Sequence, residues 1–338
     1  MSTPPASRRS SRPATRRRLL GAAVTAVVAM AAVACAPDPG PAPNSDPSLR
    51  SVSNAVLEWT ISREADNASL APGIVNYWSA GRSDGTAATY VPTNGNVTVQ
   101  KKNAAGSFVP IGSELAVSWA NKNRDGNGNL VTATNAYFLG QRVRYTGGTG
   151  TVNTATGAAT IRWSGTFTVN FYGSYTPFWI VDPTLTVDAG GAARLTATIG
   201  GRGSSQENPD IQITLPDTPG ITLAEFADVY AGGAIASGWT APTRYLGSNV
   251  TPPAGSPAQV GGVHKGAWPQ SFVNFHGQTG TAAYWYSSGA AADPCSRTRV
   301  SVRSRRRSGS RSGSSSSPAE PRRSANGRSR PRRRRARC

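Results

Sequence analysis

Few side chains in this chain combine a reactive type with a useful spacing. Gly81-Arg82-Ser83-Asp84-Gly85 matches the G-x-S-x-G pattern of a serine nucleophile, which needs a strand before the serine and a helix after it. The residues that follow, Thr86-Ala87-Ala88-Thr89-Tyr90-Val91, read as strand, so a turn built from Gly, Ser and Asp is expected there. The two histidines, His264 and His276, lie in the last patterned segment and show no metal-ligand spacing. Asp125-Gly126-Asn127-Gly128-Asn129 opens like a calcium loop, then places Leu130 where Gly is needed and Ala136 where a bidentate acid is needed. No glycine-rich loop leads from a strand into a helix, which excludes a nucleotide fingerprint. Cys35, Cys295 and Cys338 all fall outside the patterned region and suggest neither a disulfide framework nor a zinc site. No catalytic constellation emerges, and a protein that is not an enzyme is expected. What remains is a set of phenols, Tyr77, Tyr172 and Tyr175, and tyrosine can ligate haem iron as well as pack with its hydroxyl satisfied.

The elements that must position these residues are strands. From Ile161 to Phe171 the odd positions are Ile161, Trp163, Gly165, Phe167, Val169 and Phe171, and the even ones are Arg162, Ser164, Thr166, Thr168 and Asn170. That alternation predicts one strand with an inward and an outward face, with Gly165 marking a bulge or a close approach of another part of the chain. Further strands are expected at 55–61, 76–80, 97–101, 114–120 and 141–146, and at 210–215. Residues 184–188 and 195–199 should form a hairpin across the 189–193 turn, and 282–287 a closing strand. One helix is expected at 268–277, where Trp268, Phe272 and Phe275 share a face and Pro269 suits the first turn. The expected class is all-β, an antiparallel β-sandwich-like domain with one short helix, flanked by an N-terminal signal and a disordered Arg/Ser-rich tail.

Charge divides the 338-residue chain sharply. The net charge of +19 comes from the ends: residues 1–34 carry six Arg and no acid, and 296–338 carry sixteen Arg against Glu320. Between them, fourteen Lys or Arg face sixteen Asp or Glu, so the patterned region is slightly acidic and nucleic acid is not an expected partner. Residues 1–34 read as an export signal, because the apolar run 19–34 is shorter than the roughly 20 residues a spanning helix needs. The Arg16-Arg17-Arg18-Leu19-Leu20 start fits a twin-arginine signal and an ordinary Arg-rich one alike. Ala32-Val33-Ala34-Cys35 resembles a lipobox, which would make Cys35 a lipidation site and 35–50 a Pro-rich tether from a membrane anchor. The β domain is expected at 51–293. The tail, 294–338, has too little to bury and is expected to be disordered. It could bind an acidic surface, remain solvated, or be the product of a shifted reading frame in GC-rich DNA; the abrupt change of composition favours the last.

The run Trp163-Ser164-Gly165-Thr166-Phe167-Thr168-Val169, then Phe171-Tyr172-Gly173, then Asp182-Pro183-Thr184-Leu185-Thr186-Val187 and Leu195-Thr196-Ala197, resembles the HtaA domain. Leu57-Glu58-Trp59-Thr60-Ile61 fits the family's first strand, and Trp268-Pro269-Gln270-Ser271-Phe272-Val273-Asn274-Phe275 with Ala283-Tyr284-Trp285-Tyr286 looks like its distal end. The family comprises exported or surface domains of high-GC Gram-positive bacteria. The resemblance implies an all-β cell-surface domain, with haem as cofactor and a haem-carrier protein as partner. It also implies a Tyr on the iron supported by His. This chain has no Tyr in the ten residues after Trp59, and Ser174 follows Gly173 where the resemblance implies His, which leaves Tyr172 and Tyr175 as the candidate haem ligands. Two readings stay open: capture of haem or another flat apolar ligand, and a structural or adhesive surface module without a small-molecule ligand.

Overall fold

The fold is that of a computed structural model, which describes residues 46–304 apart from 70–73, 136, 205–210, 228, 230–237, 292 and 297–298. The expected export signal, the expected lipidation site Cys35, most of the expected tether and residues 305–338 lie outside the described residues. Twelve strands form one antiparallel, nearly closed sheet: β1 (Leu49–Trp59), β2 (Tyr77–Ala80), β3 (Thr93–Asn94), β4 (Val97–Lys101), β5 (Gln141–Asn153), β6 (Ala159–Arg162), β7 (Thr166–Phe171), β8 (Thr176–Val187), β9 (Ala193–Ser204), β10 (Gln212–Phe226), β11 (Trp239–Pro242) and β12 (Arg299–Ser304). The main path runs β10-β9-β8-β6-β5-β1-β12-β11, while β7 carries β2 on the side of β8 and β4 carries β3 on the side of β5. Among the described residues the single α-helix is α1 (Gln270–Gly277). The all-β antiparallel class with one short helix is therefore what the chain forms, and the expected 189–193 hairpin joins β8 to β9.

The alternating stretch around Gly165 organises this sheet, but it is not one strand. β6 pairs with β5 and the end of β8, and β7 pairs with β2 and the start of β8. The chain kinks between them at Trp163-Ser164-Gly165, opposite a bulge at Asp182-Pro183 in β8. The Gly165 amide donates to Asp182 Oδ1 at 2.7 Å, and the Trp163 amide donates to the Pro183 carbonyl at 3.0 Å. Gly165 sits at φ +123°, and a Cβ there would meet Val97 at 2.6 Å, so the close approach is to a side chain of β4. Trp163 turns its ring inward and donates Nε1–H to the Ala55 carbonyl at 2.9 Å. At the kink the sheet splits, and Trp59, Trp78, Tyr145 and Phe167 pack edge to face or tilted in the gap, with ring centroids 6.1–6.3 Å apart around Phe167.

Four expectations need correction. Thr168 and Asn170, assigned to a wet face, are fully buried; the segment after β2 covers Thr168, whose hydroxyl donates to the Gly81 carbonyl and accepts from the Ser83 amide. Residues 114–120 form turns, where the Asn121 side-chain amide donates to the Glu114 and Ala116 carbonyls and occupies groups a strand ladder would need. Residues 282–285 form a 3-10 turn rather than a closing strand, which sends Trp285 into the core and leaves Tyr284 half-buried. Within the segment expected to be disordered from 294 onward, β12 pairs with both β1 and β11, and Val302 is buried. Helix α1 starts two residues later than expected, and Trp268, just before it, stacks on Phe272 at 4.7 Å. Cys295 is buried and disulfide-bonded, its partner lying outside the described residues.

Candidate functional site

The β7–β8 turn carries both candidate ligands, Tyr172 and Tyr175. Tyr172 has φ +55° and Gly173 φ +67°, two successive left-handed residues that reverse the chain. A non-Gly residue pays about 1–2 kcal/mol for that conformation, so something must hold it. Two contacts do. The Tyr172 amide donates to Asn76 Oδ1 at 2.8 Å, and the Tyr172 and Tyr284 hydroxyls share a short hydrogen bond. Phe171 packs edge-on against both phenols, at 5.2 and 5.3 Å. Tyr175 is 38 % exposed and joins the turn through its amide, which donates to the Tyr172 carbonyl at 3.3 Å. The structure thus brings Tyr172 to Tyr284, while Tyr175 stands on the rim.

Glu64 completes the group. It lies in the 3-10 turn Glu64–Asp66, and its carbonyl accepts from the Asn76 side chain at 2.8 Å. Its carboxylate has no hydrogen bond or ion pair among the described residues, and burial pushes it up to about 7. Burial first, then the hydrogen bond and the charges of Tyr284 and Glu64, push the Tyr172 phenol well above its ordinary value. Burial also raises Tyr284. Both phenols are neutral in the protein alone. The donor chemistry still fits ferric haem: Tyr172 can offer an anionic oxygen once its proton is displaced, and Tyr284 can donate a hydrogen bond to that oxygen. The third phenol, Tyr77, is committed elsewhere, donating to the Gly85 carbonyl at 2.7 Å inside a cluster with Tyr90 and Trp119.

The other reactive types are structural. His276 is fully buried on α1, its Nδ1 3.1 Å from Thr281 Oγ1 and its Nε2 without a partner. The rings of Phe178, Phe272 and Trp285 surround it at 4.6, 4.6 and 4.7 Å, and burial lowers its pKa to about 3. His264 is half-buried in the turn before Gly266. Ser83 is also buried; its Oγ lies 3.2 Å from Thr89 Oγ1 and accepts from the Gly85 amide, within a turn that no helix follows. Asp125 Oδ1 accepts the amides of Asn127 and Asn129, each at 2.8 Å, which closes its own loop. Among the described residues no cluster of three or more His, Cys, Asp or Glu could hold a metal ion, and no helix is long and apolar enough to cross a membrane.

Sequence reasoning missed Tyr284, Asn76 and Glu64 as members of the site. Tyr284 lies 112 residues from Tyr172, in a stretch whose three consecutive aromatics carry no distinguishing period.

Fold and site together define a single-sheet, all-β domain with an aromatic core that reaches the surface as a pair of phenols. No family model and no curated protein matches the sequence. Among solved structures, the chain is similar to the crystal structure of the C-terminal domain of HtaA from Corynebacterium glutamicum, with 9 % identity and a TM-score of 0.36 over 75 % of this chain and 98 % of that one. A likeness of that size carries no argument about function.

Proposed function

We propose that this chain is an exported cell-envelope domain of the HtaA-like kind that captures haem or a related flat apolar ligand at the Tyr172 turn. The observation that carries the reading is the Tyr172–Tyr284 pair, two phenols joined at a tyrosine-rich rim. Bound haem would supply a ferric iron that accepts an anionic oxygen. Tyr172 offers that oxygen, Tyr284 donates a hydrogen bond to it, and Phe171 and the Asn76 contact fix the ring. Tyr175 adds an exposed aromatic edge for a flat ligand to lie against. The reading places the chain on the cell surface through a lipidated Cys35, each buried acyl CH₂ contributing about 0.8 kcal/mol, with a haem-carrier protein as partner. A thioether on Cys35 excludes a disulfide at the same sulfur; peptide mapping that finds Cys295 bonded to Cys35 would therefore remove the anchor.

Haemin titration of the full exported chain tests the ligand. A Soret shift at micromolar haemin is expected, lost in Tyr172→Phe, weakened in Tyr284→Phe and little changed in Tyr175→Phe. One observation favours the second reading, a structural or adhesive module without a small-molecule ligand: the Tyr172 hydroxyl already has a partner in Tyr284. Absence of any Soret change, with Tyr172→Phe behaving as wild type, would decide for that module.

A further inference from the structure

A cleft of about 970 Å³ is bordered by Ser62, Arg63 and Asp66, at and just before the Glu64–Asp66 turn. It opens between the segment that follows β1, the turn after β4, the start of β5 and the segment that follows β11. Three exposed cations line it: Arg63, Lys102 and Arg244. None is ion-paired with a carboxylate among the described residues. By contrast Arg142 and Arg144, on the strand that enters the cleft, share Glu58 at 2.8 and 3.3 Å. Among the described residues Asp66 is the one acid in the lining, and its oxygens are taken by the Gly140 amide at 2.8 Å and by the Gln141 amide and side chain at 2.9 and 3.0 Å. Its burial also pushes it up to about 7, which weakens its opposition to an anion at neutral pH and below. Arg244 also borders two smaller grooves where Glu225 lies, but Glu225 pairs with Arg194 at 3.3 Å.

The lining is not only cationic. The Phe108 ring lies under the Arg142 guanidinium at 3.2 Å, with Lys102 Nζ 6.0 Å from its centre. Arg63 sits over Phe138 at 4.9 Å, and the buried ring of Tyr245 forms another wall. A guanidinium stacked on a ring keeps its N–H edge directed outward, and that planar fork suits a carboxylate or phosphate. Converging cations in a concave, partly apolar site concentrate anions and give a flat body something to lie on.

We propose that this cleft binds a small organic anion, a carboxylate or phosphate ester carried on a flat apolar body, with Arg63, Lys102 and Arg244 holding the charge and Phe108 and Tyr245 the body. The site needs no iron and does not depend on the Tyr172 reading. The test is calorimetric titration of the full exported chain with 1-naphthyl phosphate, and with 1-naphthol as its uncharged counterpart. Binding is expected to be at least tenfold tighter for the phosphate and to weaken as salt rises. Arg63→Gln and Arg244→Gln should each lower phosphate affinity about fivefold or more while leaving naphthol unchanged, a loss of one charge-assisted contact. Because both side chains are exposed, their thermal midpoints should match wild type, and Lys102→Arg should retain binding. Tyr172→Phe should bind naphthyl phosphate normally, which separates failure of this site from failure of the haem site. Equal affinity for phosphate and naphthol, no binding at millimolar phosphate, or wild-type affinity in folded Arg63→Gln and Arg244→Gln would each overturn the proposal.

Discussion

One aromatic array runs from α1 to the β7–β8 turn, and its two ends treat polar atoms in opposite ways. At the inner end, Phe272, Phe178 and Trp285 enclose His276, with Trp268 packed behind Phe272 and Trp285, and both His276 Nε2 and Trp285 Nε1 are left without partners. At the outer end, Phe171 bridges from Trp285 to Tyr172 and Tyr284, whose hydroxyls satisfy each other. Burying an unsatisfied polar atom costs roughly 1–3 kcal/mol, so the inner end must recover that cost through packing. The outer end need not. The same side-chain types thus form a closed core at one end and a hydrogen-bonded pair of half-buried phenols at the other, and depth of burial makes the difference.

The sharpest way to break this contrast is to remove the packing at the inner end. Trp285 is fully buried and meets Phe171, Phe178, Trp268, Phe272 and His276. Trp285→Ala is expected to cost about 3–5 kcal/mol, because it loses transfer energy and leaves a cavity between α1 and the sheet. Urea unfolding at constant slope measures it. A loss below about 1 kcal/mol, within the range of ordinary surface changes, would mean that the inner end is not the packed half of the array.

Protonation separates the two ends next. His276 has a folded pKa near 3 against an ordinary 6.5, so the unfolded chain takes up its proton first, and this group removes stability as pH falls from 6.5 towards 3. Glu64, facing the phenols, and Asp66, two residues on, are raised to about 7 from 4.5 and 3.8, so the folded chain takes up their protons first. Those two add stability as pH falls from 7 towards their ordinary values. Between pH 6.5 and 4.5 the folded state holds one more proton than the unfolded state, two acids against one histidine, which means a gain of about 1.4 kcal/mol per pH unit. Below about 4 His276 still removes stability, and carboxylates held below their ordinary values, Asp84, Asp125 and Asp217 among them, lose their contribution as they protonate, so stability should decline. Chemical denaturation below about pH 8, where Lys101 stays charged, should therefore show a maximum on the acid side of neutrality. Glu64→Gln should flatten the profile between 6.5 and 4.5, since one acid then balances one histidine. Stability that fails to rise as pH falls from 6.5 to 4.5 would contradict burial as the dominant influence on Glu64 and Asp66.

How much of this was legible in the sequence follows from what periodicity can register. Alternation located β7 and the aromatic core, because Phe167, Val169 and Phe171 repeat every second residue. The break in the strand at Trp163-Ser164-Gly165 left no trace in the alternation, since Trp163 and Phe167 keep the same parity on both sides of it; only Gly165 pointed to an irregularity there. Thr168 and Asn170 were misplaced because a polar residue covered by a distant loop looks like one in water. β12 was hidden by composition: its Arg and Ser outnumber the valines, and strand pairing with β1 and β11 needs only the backbone. In the sequence Tyr172 reads as a phenol at the end of the alternating strand, and nothing local announces its left-handed turn or Tyr284, Asn76 and Glu64 as its neighbours. Long-range pairing of side chains is a product of the fold and has no period of its own.

The smallest effect tests the outer end directly. Tyr172→Phe and Tyr284→Phe each remove one hydroxyl and leave the other half-buried without its partner. A neutral hydrogen bond contributes about 0.5–1.5 kcal/mol net, so each single change should cost about 1 kcal/mol. The double change should cost little more than either alone, because the second hydroxyl has nothing left to lose. A double-mutant cycle in urea should then give a coupling near 1 kcal/mol between two residues 112 positions apart. Additive costs, with no coupling, would mean that the phenols do not pair in solution and that Tyr172 stands free at the rim. The array would still have a packed inner end, but its outer end would no longer be a joined pair of hydroxyls.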